Sequence, residues 1–125
     1  MNKTTIAWIA VGIAAIIGFI YATRYWNVSA DSPELDAFAQ CVAEKGAVMY
    51  GADWCPHCQN EKKAFGDAFR FIPYVECPDE PSTCIARGIN GYPTWIFSDG
   101  RRFEGEQGLE RLSRISGCEL PPQEK

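Results

Sequence analysis

The sequence predicts an α/β fold in which helices cover both faces of a sheet, preceded by one transmembrane helix. Three observations carry this. Thr4 to Thr23 is a run of 20 residues without a charge. After it, segments with helical apolar spacing alternate with short apolar runs of strand length. Such alternation belongs to a sheet sandwiched between helices.

The first run is rich in Ile, Val, Ala and Phe between Ile6 and Phe19, with Trp8, Tyr21, Tyr25 and Trp26 toward its ends. At about 1.5 Å per residue a helix of this length crosses a hydrocarbon core of about 30 Å. A cleaved signal peptide is the rival, because Val28-Ser29-Ala30 resembles a small-residue processing site. The apolar run, however, exceeds the usual h-region of about 7 to 15 residues. Lys3 precedes the run and Arg24 follows it, so charge orients it only weakly.

Residues 24–33 read as a tether. Ser32-Pro33-Glu34 has the signature of a helix start, and Leu35, Phe38, Ala39 and Val42 recur at helical spacing until Gly46. Ala47 to Tyr50 is strand-length and apolar. A helix is expected from about Pro56 to Arg70, burying Phe65, Ala68 and Phe69. Pro73 to Cys77 reads as a second strand, ended by Pro78-Asp79-Glu80-Pro81, and Ser82 to Arg87 as a short helix ending at Gly88. Thr94-Trp95-Ile96-Phe97 is near-continuously apolar, as in a strand covered on both faces. Asp99-Gly100 signals a hairpin with Arg101 to Glu104 as the returning strand. Leu109, Leu112 and Ile115 mark a last amphipathic helix ending at Gly117. The expected organisation is an anchor over 1–23, a tether over 24–33, one domain over 34–118 and a disordered tail over 119–125.

Six cysteines, Cys41, Cys55, Cys58, Cys77, Cys84 and Cys118, in a domain of this size indicate an oxidising compartment. The expected placement is therefore the plasma (inner) membrane, single-pass, with the N-terminus cytoplasmic and the domain extracytoplasmic. The net charge of −4 and the lack of a basic cluster argue against nucleic acid as a partner. Asn27-Val28-Ser29 fits a glycosylation pattern but lies almost at the membrane.

Chemistry concentrates in Trp54-Cys55-Pro56-His57-Cys58. Cys55 falls where a strand gives way to a helix, and unpaired N–H groups at a helix N-terminus favour a thiolate. Cys58, one turn on, is within reach to resolve a mixed disulfide. Pro56 suits the first helical turn. Cys77 and Cys84 flank a loop of six residues, which suggests a structural disulfide or, alternatively, a second redox pair. By elimination Cys41 and Cys118 pair, although six cysteines allow fifteen pairings.

Ala52-Asp53-Trp54-Cys55-Pro56-His57-Cys58, joined to Gly88-Ile89-Asn90-Gly91-Tyr92-Pro93-Thr94 and Phe97-Ser98-Asp99-Gly100, resembles the thioredoxin superfamily over roughly residues 35–118. The first strand of full-length thioredoxin has no evident counterpart. Within the superfamily, Met49 to Cys58 with Tyr74-Val75-Glu76-Cys77 is most similar to the thioredoxin-like domain fused to, or partnering, bacterial vitamin K epoxide reductase homologues. That resemblance implies a central mixed sheet with helices on both faces, a cis Pro93 facing the dithiol, and Tyr92 offering backbone hydrogen bonds to an extended substrate. It implies an enzyme that oxidises secreted protein thiols and passes electrons to a separate quinone-linked membrane reductase.

Trp54 is expected to shield one side of the site or simply to pack in the core. His57 is expected to stabilise the Cys55 thiolate, its plain alternative being an exposed helix residue. Where reductive thioredoxins carry a buried Asp, six residues before the first cysteine, this chain has Met49, which favours the oxidising direction. Asp53 and Glu61 are substitutes for proton transfer, although both read more simply as solvated acids. No cofactor or metal is called for. An outward-reducing protein serving cytochrome maturation or disulfide repair, a zinc module built from Cys55, Cys58, Cys77 and Cys84, and a redox-inert peptide adaptor are the alternatives.

Overall fold

The computed structural model describes residues 2–26 and 32–122. Half of the expected tether, residues 27–31, with Asn27-Val28-Ser29 and the processing site at Val28-Ser29-Ala30, lies outside the described residues, as do residues 123–125 of the expected tail. The chain divides into two compact units, residues 1–30 and 31–125.

The first unit is α1, Lys3–Trp26. No Gly or Pro follows Thr23 closely enough to stop it, so it runs past the end of the charge-free stretch. Up to residue 22 its apolar side chains are bare, Trp8 at 77% and Phe19 at 72% exposure among them. Its span Lys3–Ala22 is long and apolar enough to cross a membrane, and a signal sequence has the same features.

The second unit opens with α2, Pro33–Glu44. Ser32 caps it, its hydroxyl accepting from Leu35 N at 3.4 Å. Phe38, Ala39 and Val42 form its buried stripe. Gly46, at φ 71°, then turns the chain, and a Cβ there would stand 2.4 Å from that of Ser98, so both conformation and space demand glycine.

β1 (Val48–Gly51) leads to α3 (Pro56–Phe65). Here the structure corrects the expected helix end: Gly66, at φ 55°, closes α3, and Gly66–Phe71 continues as a 3₁₀ turn instead. Ala68 is still buried because the tighter turn keeps it against the core. β2 (Tyr74–Glu76), α4 (Pro81–Ala86), β3 (Thr94–Ile96), β4 (Arg102–Glu104) and α5 (Gly108–Ser116) complete the unit. α5 ends at Gly117 in the left-handed conformation.

The four strands lie in the order β2-β1-β3-β4. β1 runs parallel to β2, with Met49 opposite Tyr74 and Gly51 opposite Glu76, and antiparallel to β3, with Met49 opposite Trp95. β4 returns antiparallel to β3. Because strand side chains alternate between faces, Met49 and Trp95 meet Phe38, Phe65 and Leu112 of α2, α3 and α5 on one side. Tyr50 meets Cys77, Cys84 and Ile89 on the other. This is the doubly covered sheet that the alternation predicts, with the mixed strand directions that the resemblance implies. Leu120, beyond α5, also packs against the larger cluster.

Candidate active site

β1 and α3 are joined by Ala52 to Cys55, a four-residue turn that delivers Cys55 to the N-cap position of α3 in an extended conformation. Its amide donates to Ala52 O at 3.0 Å. Cys55 and Cys58 are both unpaired thiols. Cys55 keeps 6% of its surface exposed and Cys58 none. Burial is the main force pushing the Cys58 thiol up to about 11, with neighbouring Cys55 adding to it.

Pro93 enters from the β3 side. Its peptide bond with Tyr92 is cis and its ring is buried. This brings Tyr92 O to 3.6 Å from Cys55 Sγ, a long contact in which the thiol donates. Trp54 is not a core residue: it is 68% exposed, with its ring edge-on to that of Tyr92 at 5.9 Å. His57 projects from the exposed side of α3, its Nδ1 3.0 Å from Glu106 Oε2. Asn60 Nδ2 donates to the same oxygen at 3.3 Å. Together His57 and Asn60 hold the Glu106 carboxyl below the usual range.

No family model matches the chain. Among curated proteins it is 39% identical over 101 residues to thiol-disulfide oxidoreductase LTO1 of Arabidopsis thaliana, covering 74% of this chain and 27% of that protein. It is 31% identical over 124 residues to a probable protein disulfide-isomerase A6 of Medicago sativa, covering 84% and 34%. Thioredoxin domain-containing protein 5 homolog of Drosophila melanogaster matches at 30% over 93 residues, covering 62% and 22%. The chain belongs to the thioredoxin-like superfamily. It spans about a third or less of the length of these relatives.

In this thioredoxin-like domain Met49 is wholly buried in the core beneath the site. The two acids weighed as its substitutes have different places. Asp53 is exposed and paired with Lys62, Nζ to Oδ1 2.6 Å, which lowers its carboxyl. Glu61 is wholly buried, which corrects its reading as a solvated acid. Its two oxygens accept from Gln107 N at 2.7 Å and Gly108 N at 2.9 Å, capping the start of α5. Cys58, Glu61 and Phe65 follow at helical spacing on the buried side of α3, and that spacing was the signal in the sequence.

A second group was not singled out in the sequence: Tyr74 Oη donates to Glu76 Oε2 at 2.5 Å, and Glu76 Oε1 accepts from Asp53 N at 3.0 Å. Residues two apart on a strand share a face, so this pairing too has a sequence signal. Lys62 Nζ sits 3.9 Å from the centre of the Tyr74 ring. The remaining cysteines are joined as Cys41–Cys118 and Cys77–Cys84. The first ties α2 to the end of α5, and the second closes the loop between β2 and α4. The zinc alternative therefore lacks half its ligands, because Cys77 and Cys84 hold each other.

Proposed function

We propose that this chain is a membrane-anchored, extracytoplasmic thiol-disulfide oxidoreductase that oxidises secreted protein thiols through Cys55 and Cys58. In this reading it passes the electrons to a vitamin K epoxide reductase-like membrane partner linked to quinone. A substrate thiolate attacks Cys55 of the disulfide form, since Cys55 is the sulfur with surface exposure, and Cys58 leaves. A second substrate thiol then releases the substrate disulfide and the reduced pair. Tyr92 and the cis Pro93 border the cleft in which an extended substrate segment binds by its backbone, and Trp54 forms its exposed wall.

The observation that carries the direction is the combination of an apolar Met49 under the site with His57 at the head of α3. The ring can donate to a Cys55 thiolate and so stabilise the reduced pair, which makes the disulfide a stronger oxidant. The bare apolar helix α1 and the cysteine-rich domain support the anchored, extracytoplasmic placement, with the N-terminus in the cytoplasm.

The test is the reduction potential of Cys55-Cys58 in the full chain held in detergent and equilibrated with glutathione buffers. A value of about −120 to −180 mV places the pair among oxidants of secreted thiols. A value near about −250 mV or lower overturns the oxidising direction in favour of an outward-reducing role.

A further inference from the structure

A buried thiol that must alternate between S–H and S⁻ needs a route for its proton. Cys58 is such a thiol in this domain, with no exposed surface and its ionisation pushed up to about 11. The groups around it are few. Cys55 is the partner sulfur. Met49 offers no ionisable atom. Glu61 lies on the same helix, but both its oxygens are committed to the start of α5.

On the β2 side the surroundings differ. Gly51 is closely approached there: a Cβ added to it would stand 2.7 Å from Cys58 Sγ, 3.2 Å from Tyr74 Cε2 and 3.3 Å from Tyr74 Oη. The thiol and the hydroxyl therefore converge on the same bare Cα. Beyond the hydroxyl comes the Glu76 carboxylate at 2.5 Å, itself fixed by Asp53 N. Glu76 is half-buried on a strand at the edge of the sheet, which gives the path an exit to solvent. The charged groups near this point are Glu76, Asp53 and Lys62, the last two paired with each other.

We propose that Tyr74 and Glu76 form the proton relay of Cys58, standing in for the acid that Met49 replaces. The proposal rests on the thiol-disulfide reading above. When Cys55 is held in a mixed disulfide with an oxidant disulfide, Cys58 passes its proton to Tyr74 Oη while Tyr74 passes its own to Glu76. The Cys58 thiolate attacks Cys55 Sγ. The Cys55–Cys58 bond forms, the bond from Cys55 to the outer sulfur breaks, and its electron pair leaves on that sulfur. Run backwards, the same path returns a proton to Cys58 as it leaves Cys55. Burial and the Glu76 carboxylate both push the Tyr74 phenol upward, which keeps its proton available to pass on rather than lost. In this relay Tyr74 exchanges the proton with Cys58, and Glu76 acts through it.

The experiment uses the full chain in detergent, reduced and then mixed with oxidised glutathione, with acid quenching and mass measurement to follow the Cys55-glutathione intermediate. In Tyr74→Phe and Glu76→Gln, formation of the intermediate is expected to stay within about twofold of the parent, since it depends on Cys55. Its resolution by Cys58 near pH 6 is expected to slow by about 10²-fold, the scale of a lost general base. The deficit should shrink toward pH 10 as hydroxide takes over. Tyr74→Phe keeps the ring over Lys62, and Glu76→Gln keeps an acceptor for Asp53 N, so each controls for the other's packing. Resolution unchanged in both variants, or slowed equally at every pH, overturns the relay. The reduction potential of the parent separately tests the direction of flow, because the resolution step is present whether the domain oxidises or reduces its substrates.

Discussion

Glu106 Oε2 lies 3.0 Å from His57 Nδ1, so the second residue between the two cysteines is tied to the loop that begins the last helix, 49 positions away. The contact directs the imidazole from outside the motif. On the role proposed for His57, replacing it by Ala removes a donor to a Cys55 thiolate. We expect the potential to fall by about 30 to 60 mV, the equivalent of about 1.5 to 3 kcal/mol for a charge-assisted hydrogen bond. An unchanged potential in glutathione buffers would reduce His57 to an exposed helix residue.

Gly51 is sized by Cys58. A methyl group there would stand 2.7 Å from the thiol, and β1 is held by neighbours on both sides, so the sulfur must move. Gly51→Ala is expected to cost about 1 to 3 kcal/mol, the usual penalty of overpacking. It should also slow resolution of mixed disulfides while leaving their formation at Cys55 intact. Urea unfolding and the glutathione assay report the two effects independently.

Glu61 makes stability depend on pH. Burial, the largest influence on it, raises its carboxyl above the ordinary value of 4.5. The fold therefore favours the neutral form. The stabilisation this brings is complete below about 4.5 and is lost as pH rises through the higher folded value. Glu61→Gln should flatten that fall in urea midpoints measured across the window. Glu61→Ala strands the amides of Gln107 and Gly108 and is expected to cost about 1 to 3 kcal/mol.

The two disulfides should differ in weight. Cys41–Cys118 spans 77 positions and Cys77–Cys84 only 7. On the chain-entropy estimate, removing the first as a double Ala variant costs about 4 to 5 kcal/mol and the second about 2 to 2.5. Equal losses by denaturant titration would show that local packing, not loop closure, sets their worth.

Much of this was legible because local signals agreed with the fold. Ser32-Pro33, Gly46, Gly88 and Gly117 mark helix boundaries through cap chemistry, and the apolar run at Thr94 marks a buried strand. The helical spacing of Phe65, Ala68 and Phe69 predicts that α3 runs on to Arg70. What ends the helix is a single positive φ at Gly66, and a glycine within a helical pattern looks tolerable until the backbone is seen. Glu61 sits in the polar run Gln59-Asn60-Glu61-Lys62-Lys63, and the amides it caps are 46 and 47 positions further on. Glu106 is remote from His57 in the same way. Local spacing locates the dithiol, while the groups that surround it come from strands and loops whose approach only the tertiary fold specifies.

The bond from Cys41 to Cys118 also governs how this domain carries load. Tension applied at residues outside the pair runs straight across the covalent link, so the whole sheet and the dithiol between those positions lie off the load path. Pulled from its two ends, the oxidised domain should yield little beyond its short flanks. The chain between Cys41 and Cys118 should lengthen only after that bond is reduced.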